Sequence, residues 1–211
     1  MTVRRAYASA DPNRFYQARD KRQLTERYDE AAEVYDEAMN DDVGWSGHVE
    51  LAKAVVRHVS PDVLLCDAGA GTGMLGERLA AHGFTRMVAN DLSPGMLEVA
   101  RRKGIYEDCQ VMDLGKRLPY ASDSFDAVTA CGVFTPNHAP ASALDELVRI
   151  TRPNGLVLYT LRSDVEPDDF ATRHSVLVDS GLWVLVEAGT HFASIGSEPH
   201  IRHRCWIWRV L

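Results

Sequence analysis

Short apolar runs alternate along this chain with stretches in which apolar residues recur every three to four positions. The short runs predict β-strands near 63–67, 86–90, 108–112, 125–130 and 155–161. The periodic stretches predict helices near 73–82, 94–103, 141–151 and 168–180. Strands that alternate with helices in this way indicate an α/β domain with a parallel sheet and right-handed crossovers. Two final strands, Leu182–Glu187 and Arg204–Val210, have no predicted helix between them, so the last strand can reverse direction.

Two more helices are predicted before the first strand. In residues 21–39 the positions of Leu24, Tyr28, Tyr35 and Met39 fall on one helical face. Residues 46–59 form the second, and Ser46 is its expected N-cap. Residues 1–20 show little periodicity and are expected to be irregular. We expect 1–44 to form an N-terminal arm and helical lid, and 45–211 to form the α/β domain.

Composition fits one globular enzyme domain. The chain has 211 residues, of which 45% are hydrophobic and 25% charged. A net charge of −7 argues against a nucleic-acid surface, and no run approaches the ~20 apolar residues of a membrane helix. Although the first 27 residues are basic, we expect a solvated tail there rather than an RNA-binding arm. Four cysteines without a C-x-x-C pair indicate free thiols and a cytoplasmic location.

A glycine-rich segment carries the most specific signal. An apolar run ends at Asp67, glycines alternate at positions 69, 71 and 73, and a helical pattern follows. Glycines permit positive φ angles and let a ligand approach the backbone closely. Residues 71–76 also satisfy G-x-G-x-x-G, and Asp91 lies twenty residues after Gly71, where an acid can bind a ribose. The residues therefore predict a site for an adenosine-containing cofactor. A nicotinamide dinucleotide remains an alternative identity for this cofactor.

Acidic residues at three strand ends narrow this choice. Asp67, Asp91 and Asp113 follow the first, second and third predicted strands. Directly before the loop, Asp67 would repel a pyrophosphate but would suit a cation. The arrangement resembles the class I S-adenosylmethionine-dependent methyltransferases, which carry D-x-G-x-G-x-G and an acid after each of the next two strands.

Other segments extend this resemblance from about Gln23 to the end of the chain. Residues 90–97 resemble the family's D-x-S-x-x-M-L segment, and 147–156 its R-x-L-x-P-G-G turn, with Asn154 in place of a glycine. Residues 28–36 are similar to its Y-D-x-x-A-x-x-Y-D helix. The segment 131–138 and the tryptophan-containing tail look closest to the Williams–Beuren-region methyltransferase-like subfamily and its bacterial relatives.

The resemblance implies a fold, a cofactor and a reaction. The fold is a seven-stranded, Rossmann-like, doubly wound sheet of order 3-2-1-4-5-7-6, with the last strand antiparallel and an N-terminal helical cap. The cofactor is S-adenosyl-L-methionine, bound by residues 45–211. The reaction is methyl transfer to a small-molecule acceptor at oxygen, nitrogen, sulfur or a carboxylate.

It also implies a set of cofactor-binding residues. The glycine loop and Asp67 lie at the methionine tail, Asp91 binds the ribose hydroxyls, and residues after the later strands contact the adenine and the amino group. Three aromatic residues of the N-terminal segment cover the cofactor. The set is Tyr28, Tyr35, Trp45, Asp67, Gly69, Gly71, Gly73, Asp91, Leu92, Met96, Asp113, Leu114, Cys131 and Gly132. Ordinary alternatives remain open: core tyrosines, a core Met96, a surface Asp113, and Asp91 as a helix cap.

The acceptor side depends on the loop after the fourth strand. We expect His138 to act as a general base if the acceptor must lose a proton, although a structural or solvated histidine is the alternative. Thr135, Asn137 and His191 are expected to bind the acceptor. No metal is expected, because His203 and Cys205 share a strand face that His200 opposes. The absence of an N/D-P-P-Y/F tetrad counts against methyltransferases of nucleic-acid amines.

Three functions remain in order of preference. The first is a small-molecule methyltransferase that acts as a monomer or homodimer, without nucleic-acid or membrane partners. The second is an S-adenosylmethionine-binding regulatory protein with weak activity. The third is a nicotinamide-dependent oxidoreductase, for which 211 residues leave little room for a separate catalytic domain.

Overall fold

A mixed sheet of eight strands forms the centre of the described chain, which comprises residues 12–135, 138–163 and 169–211 of a computed structural model. The strands are β1 Leu65–Ala68, β2 Met87–Asp91, β3 Asp108–Val111, β4 Phe125–Phe134, β5 Thr151–Arg162, β6 Trp183–Ala188, β7 Phe192–Ala193 and β8 Arg202–Val210. Their order is β3-β2-β1-β4-β5-β8-β6, with β7 paired to β8. Neighbours from β3 to β5 pair in parallel, and β8 runs antiparallel to both β5 and β6.

This order confirms the predicted one, with β8 as the antiparallel final strand. The predicted number of seven strands was one too low, because β7 was not recognised. Two residues are too few for an alternating pattern to show, and β7 forms only through its pairing with β8.

The described helices are α1 Pro12–Tyr16, α2 Lys21–Ala31, α3 Tyr35–Glu37, α4 Gly47–His58, α5 Met74–Ala81, α6 Pro94–Arg102, α7 Ala143–Ile150 and α8 Phe170–Asp179. They confirm the predicted alternation. The single helix expected over 21–39 is broken, because a 3-10 turn at Ala32–Val34 and a π turn at Ala38–Val43 flank α3. In addition, α1 lies in the stretch expected to be irregular. Ser46 is the N-cap residue of α4, as predicted, but its hydroxyl donates to the Ala193 carbonyl and makes no capping hydrogen bond to the helix.

Both faces of the sheet are covered, as a doubly wound fold requires. Adjacent strand residues point to opposite faces, so Leu65 packs with α4 and α5 while Cys66 packs with α7 and α8. The first face is completed by Leu51, Leu79 and Ile207, all fully buried. No helix among the described residues is both long enough and apolar enough to cross a membrane.

The N-terminal helices form the predicted cap at the carboxyl edge of the sheet. Their apolar side chains pack against Met74 at the start of α5 and against Ile195, which lies between β7 and β8. Polar contacts also attach them to α6: the Asp29 carboxylate accepts hydrogen bonds from Ser93 Oγ (2.6 Å) and from the Gly95 N–H (2.8 Å). The cap therefore lies directly over the strand ends where the glycine loop and the three acids are found.

Candidate functional site

Two adjoining cavities lie between the cap and the carboxyl ends of the strands. The empty space in the first is about 720 Å³ and in the second about 610 Å³, in each case including space that is open to solvent. The cavities share a wall made of Tyr28, Tyr35, Cys131, Gly132 and His138.

The glycine loop borders the first cavity. Gly69, Gly71 and Gly73 all have positive φ angles, of 73°, 55° and 87°. The Gly69 N–H donates to the Asn90 carbonyl (2.8 Å), which fixes the loop on β2. A Cβ atom at Gly71 would meet nothing within 4 Å, so this residue presents bare backbone to the cavity. Gly73 begins α5 and packs near the Tyr106 ring instead.

Asp67 lies beneath this loop and does not line either cavity. It is buried, and its carboxylate accepts hydrogen bonds from Tyr106 Oη (2.7 Å) and Thr129 Oγ1 (3.0 Å). Burial raises the pKa of Asp67 to about 6, although the two hydrogen bonds oppose the increase. Its position favours support of the loop over direct contact with a ligand.

Asp91 lies on the cavity side of the loop. One carboxylate oxygen accepts from the Gly71 N–H (2.8 Å) and the other from the Ser93 N–H (2.9 Å). Ser93 caps α6 by accepting from the Met96 N–H (3.0 Å), so Asp91 is not the cap of this helix. Burial raises the pKa of Asp91, whereas these backbone hydrogen bonds lower it. Each oxygen retains a lone pair, so the carboxylate can still accept from two vicinal hydroxyls.

The rest of the first cavity combines apolar walls with one ion pair. Leu92, Met96, Met112 and Leu114 line it together with Asp113. Flat apolar walls of this kind suit an adenine ring.

Asp113 forms an ion pair with Lys21 of the cap and accepts from the Gly115 N–H (2.8 Å). Partial burial raises the pKa of Asp113, but these hydrogen bonds and the Lys21 charge outweigh burial and hold it below the usual value. Lys21 also lines the first cavity, and sequence reasoning missed it because its partner is 92 positions away. No local spacing signals such a pair.

The shared wall contains a tyrosine–histidine pair. Tyr28 Oη and His138 Nε2 are 2.8 Å apart. The Tyr28 ring stacks on Phe15 with a centroid distance of 4.2 Å and contacts Tyr35 edge-on at 6.1 Å. Burial raises the pKa of both tyrosines well above the ordinary value, so their hydroxyls stay protonated. The pair therefore places a hydroxyl and an imidazole where the two cavities meet.

The second cavity is lined mainly by aromatic and apolar side chains. Trp45, expected to cover the cofactor, lines this cavity and not the first. Thr135 also lines it, whereas Asn137 lies outside the described residues.

His191 is exposed beside β7, lines neither cavity, and only its carbonyl makes a contact, with Arg202 (3.2 Å). His203 on β8 lines the second cavity instead. Because β7 has only two residues, the sequence shows no strand pattern there. The exposed position of His191 and the place of His203 in the second cavity could therefore not be predicted. Among the described residues, no group of three or more His, Cys, Asp or Glu side chains could hold a metal ion.

Comparison with known proteins points to methyltransferases. Residues 66–159, which include the glycine loop and the three acids, match the family model described as a methyltransferase domain. This match supports the resemblance to the class I S-adenosylmethionine-dependent methyltransferases. The resemblance seen in the motifs is thus confirmed, and the nicotinamide alternative is not supported.

Similar proteins agree with this methyltransferase assignment. Human methyltransferase-like protein 27 is 38% identical over 125 residues, which are 57% of this chain and 51% of that protein. Malonyl-[acyl-carrier protein] O-methyltransferase of Yersinia pestis is 29% identical over 196 residues, 90% of this chain and 66% of that protein. The chain thus spans about half to two thirds of the length of these relatives.

A solved structure shows the same fold. It is a Haloferax volcanii methyltransferase in complex with the Trm112 methyltransferase activator, with a TM-score of 0.67 and 20% identity. The alignment covers 87% of this chain and 97% of that one.

The cofactor of this methyltransferase family is S-adenosylmethionine, and the first cavity fits it. Bare backbone at Gly71 admits a close ligand, and Asp91 offers its carboxylate oxygens to a ribose diol. The apolar walls beyond Leu92 and Met96 accept a flat base.

Proposed function

We propose that this methyltransferase transfers a methyl group from S-adenosylmethionine to a small-molecule acceptor. The observation that carries the proposal is the pair of cavities that meet at Tyr28 and His138. One cavity has the features of a cofactor site, and the other is a separate concave surface lined by different residues. The name of the Yersinia pestis relative, malonyl-[acyl-carrier protein] O-methyltransferase, describes methyl transfer to oxygen and supports the same type of reaction.

S-adenosylmethionine, when bound, supplies a methyl carbon attached to a positively charged sulfur. The acceptor atom forms a bond to this carbon, the carbon–sulfur bond breaks with its electron pair on sulfur, and S-adenosylhomocysteine leaves. Because this is an in-line displacement, the protein contributes mainly proximity and alignment.

Cofactor binding is assigned to the first cavity. Gly69 and Gly71 pack against the methionine tail, and Asp67 supports their loop from below. Asp91 accepts hydrogen bonds from the ribose hydroxyls. The Gly132 N–H already donates to Thr160 Oγ1 (2.8 Å), so backbone carbonyls at the end of β4 are the groups that meet the ammonium.

The adenine is assigned to the far end of the same cavity. Leu92 and Met96 cover its faces, while Asp113 and the Leu114 N–H bind its polar edge. Tyr28 and Tyr35 close the cavity from the cap, while Trp45 contributes to the second cavity.

His138 is assigned the role of general base. It lies at the boundary of both cavities, within hydrogen-bond reach of Tyr28. A base contributes only when the acceptor loses a proton during attack, as a hydroxyl does. For such an acceptor, the imidazole accepts the proton while Tyr28 holds its orientation.

Calorimetry and an activity screen test the proposal. S-adenosylhomocysteine should bind the purified protein, and NAD should not. A screen of neutral hydroxyl and amine compounds should then show turnover as release of S-adenosylhomocysteine. Binding of NAD in place of S-adenosylhomocysteine would contradict the proposal. Tight S-adenosylhomocysteine binding without any transfer would favour a cofactor-binding regulatory protein.

A further inference from the structure

The second cavity differs chemically from the first. Its described lining contains no Asp, Glu, Lys or Arg side chain. Rings of Phe15, Tyr16 and Trp45 line it, together with the shared tyrosines. A ligand that carried a full charge would therefore find no opposite charge to offset its desolvation.

The ring arrangement suits a flat guest. Tyr16 meets His138 edge-on, with centroids 5.8 Å apart, and Trp45 meets His203 edge-on at 5.1 Å. Aromatic pairs favour edge-to-face and offset geometries, so a planar ligand can contact several of these rings at once. Apolar side chains of Met39 and Ile195 complete the lining.

Few polar side chains line this cavity, and Thr135 and His203 are two of them. Thr135 is only 6% exposed, and its hydroxyl has no hydrogen-bond partner within the described part of the chain. A buried hydroxyl without a partner is unfavourable, and a ligand hydroxyl can satisfy it. His203 is buried and oriented by a 2.6 Å contact between its Nδ1 and Ser194 Oγ.

We propose that the second cavity binds the methyl acceptor, and that this acceptor is a neutral aromatic compound with a hydroxyl group. The inference rests on the proposed methyltransferase function and extends it to a substrate class. The aromatic ring lies against Trp45, and the hydroxyl lies between Thr135 and His138.

The shared wall places this hydroxyl beside the cofactor cavity. In the transfer step its oxygen forms the bond to the methyl carbon while the carbon–sulfur bond breaks with its electron pair on sulfur. The hydroxyl proton passes to His138 and then to solvent. Charged aromatic compounds are disfavoured by the same reasoning, since the described lining offers no Lys or Arg to an anion and no carboxylate to an ammonium group.

Three probes with one ring system test the charge preference. Protein saturated with S-adenosylhomocysteine is titrated with 2-naphthol, with naphthalene-2-carboxylate and with 2-naphthylmethylamine, and binding is followed by fluorescence. We expect 2-naphthol to bind at least tenfold more tightly than either charged probe. Equal or tighter binding of a charged probe would overturn the inference.

Variants then locate the binding site. Trp45→Phe should weaken 2-naphthol binding about threefold to tenfold, because it removes part of an aromatic contact. The matched control is Trp206→Phe, which changes a partly buried tryptophan outside both cavities and should have no effect. Thr135→Val should remove the preference for 2-naphthol over naphthalene while ring binding persists. Unchanged 2-naphthol affinity in both cavity variants would place the probe elsewhere and overturn the inference.

A separate readout distinguishes this inference from the proposed function. S-adenosylhomocysteine affinity, measured by calorimetry, should stay within twofold of wild type in Trp45→Phe and Thr135→Val. If S-adenosylhomocysteine binds and some other acceptor is methylated while 2-naphthol does not bind, only the acceptor class is wrong. If S-adenosylhomocysteine fails to bind the wild-type protein, the proposed function itself is wrong.

Discussion

The two cavities are built in different ways, although they share a wall. The first is formed largely at the ends of neighbouring strands, where Asp91 and the glycine loop are joined by backbone hydrogen bonds. The second combines the N-terminal cap, the end of β4 and the segment from Ile195 to His203. Local spacing therefore determines the cofactor side, whereas long-range packing determines the acceptor side. The acceptor side can change without disturbing the glycine loop.

The largest expected effect concerns the wall between the cavities. His138→Ala should lower kcat by roughly 10²–10⁴ for a hydroxyl acceptor, while S-adenosylhomocysteine affinity stays near normal. His200→Ala is the matched control, since that side chain is 75% exposed. If His138→Ala retains most of its kcat, His138 is not the general base, and proximity is the main source of catalysis.

The second prediction concerns the support beneath the first cavity. Burial raises the pKa of Asp67 from 3.8 to about 6, so between these values the folded protein binds more protons than the unfolded chain. The free energy of unfolding should therefore fall as pH rises through this window, by about 3 kcal/mol in all. Asp67→Asn should remove this fall, as measured by urea unfolding at several pH values.

A matched control distinguishes the contribution of Asp67 to the pH dependence of unfolding from that of exposed carboxylates. Asp179→Asn changes an exposed carboxylate at the end of α8 and should leave the pH dependence unchanged. If Asp67→Asn retains the wild-type slope between pH 4 and 6, another group is responsible for it.

The third prediction sharpens the difference between the cavities. Asp91→Ala removes a charged acceptor from ribose hydroxyls and should cost roughly 1.5–3 kcal/mol, or at least tenfold in S-adenosylhomocysteine affinity. Binding of 2-naphthol should not change. Asp108→Ala, an exposed aspartate on β3, is the control. Unchanged calorimetric affinity in a folded Asp91→Ala protein would remove Asp91 from the site.

The smallest expected effect concerns the cap, which contributes to both cavities. Residues around 15–45 should exchange amide hydrogens more slowly when S-adenosylhomocysteine is bound, because Lys21, Tyr28 and Tyr35 line its cavity. Hydrogen exchange with and without the ligand measures this change. Equal protection in both states would make the cap a fixed part of the core instead of a lid.

The same contrast explains how much the sequence predicted. The parallel strands, the glycine loop and the antiparallel final strand follow from patterns within a few residues, and the structure confirms them. The break in the helix over 21–39 does not follow from such patterns. In this region the Asp36 carboxylate accepts hydrogen bonds from the Thr72 hydroxyl of the glycine loop and from Lys103 Nζ (2.6 Å). These tertiary contacts accompany the irregular turns.

Acceptor-side residues were the least predictable. His203 enters the second cavity because β8 pairs with β7, and Trp45 enters it through a bridge with Ile195, 150 positions later. Neither pairing has a local signal. His191 was expected to bind the acceptor, yet it lies exposed beside the two-residue β7.

A crystal structure with S-adenosylhomocysteine and 2-naphthol bound tests the central claim most directly. The account predicts the ribose at Asp91, the adenine between Leu92 and Met96, and the naphthol ring against Trp45, with the hydroxyl beside His138 and facing the sulfur directly. An adenosyl group in the second cavity, or a naphthol ring outside it, would contradict the account.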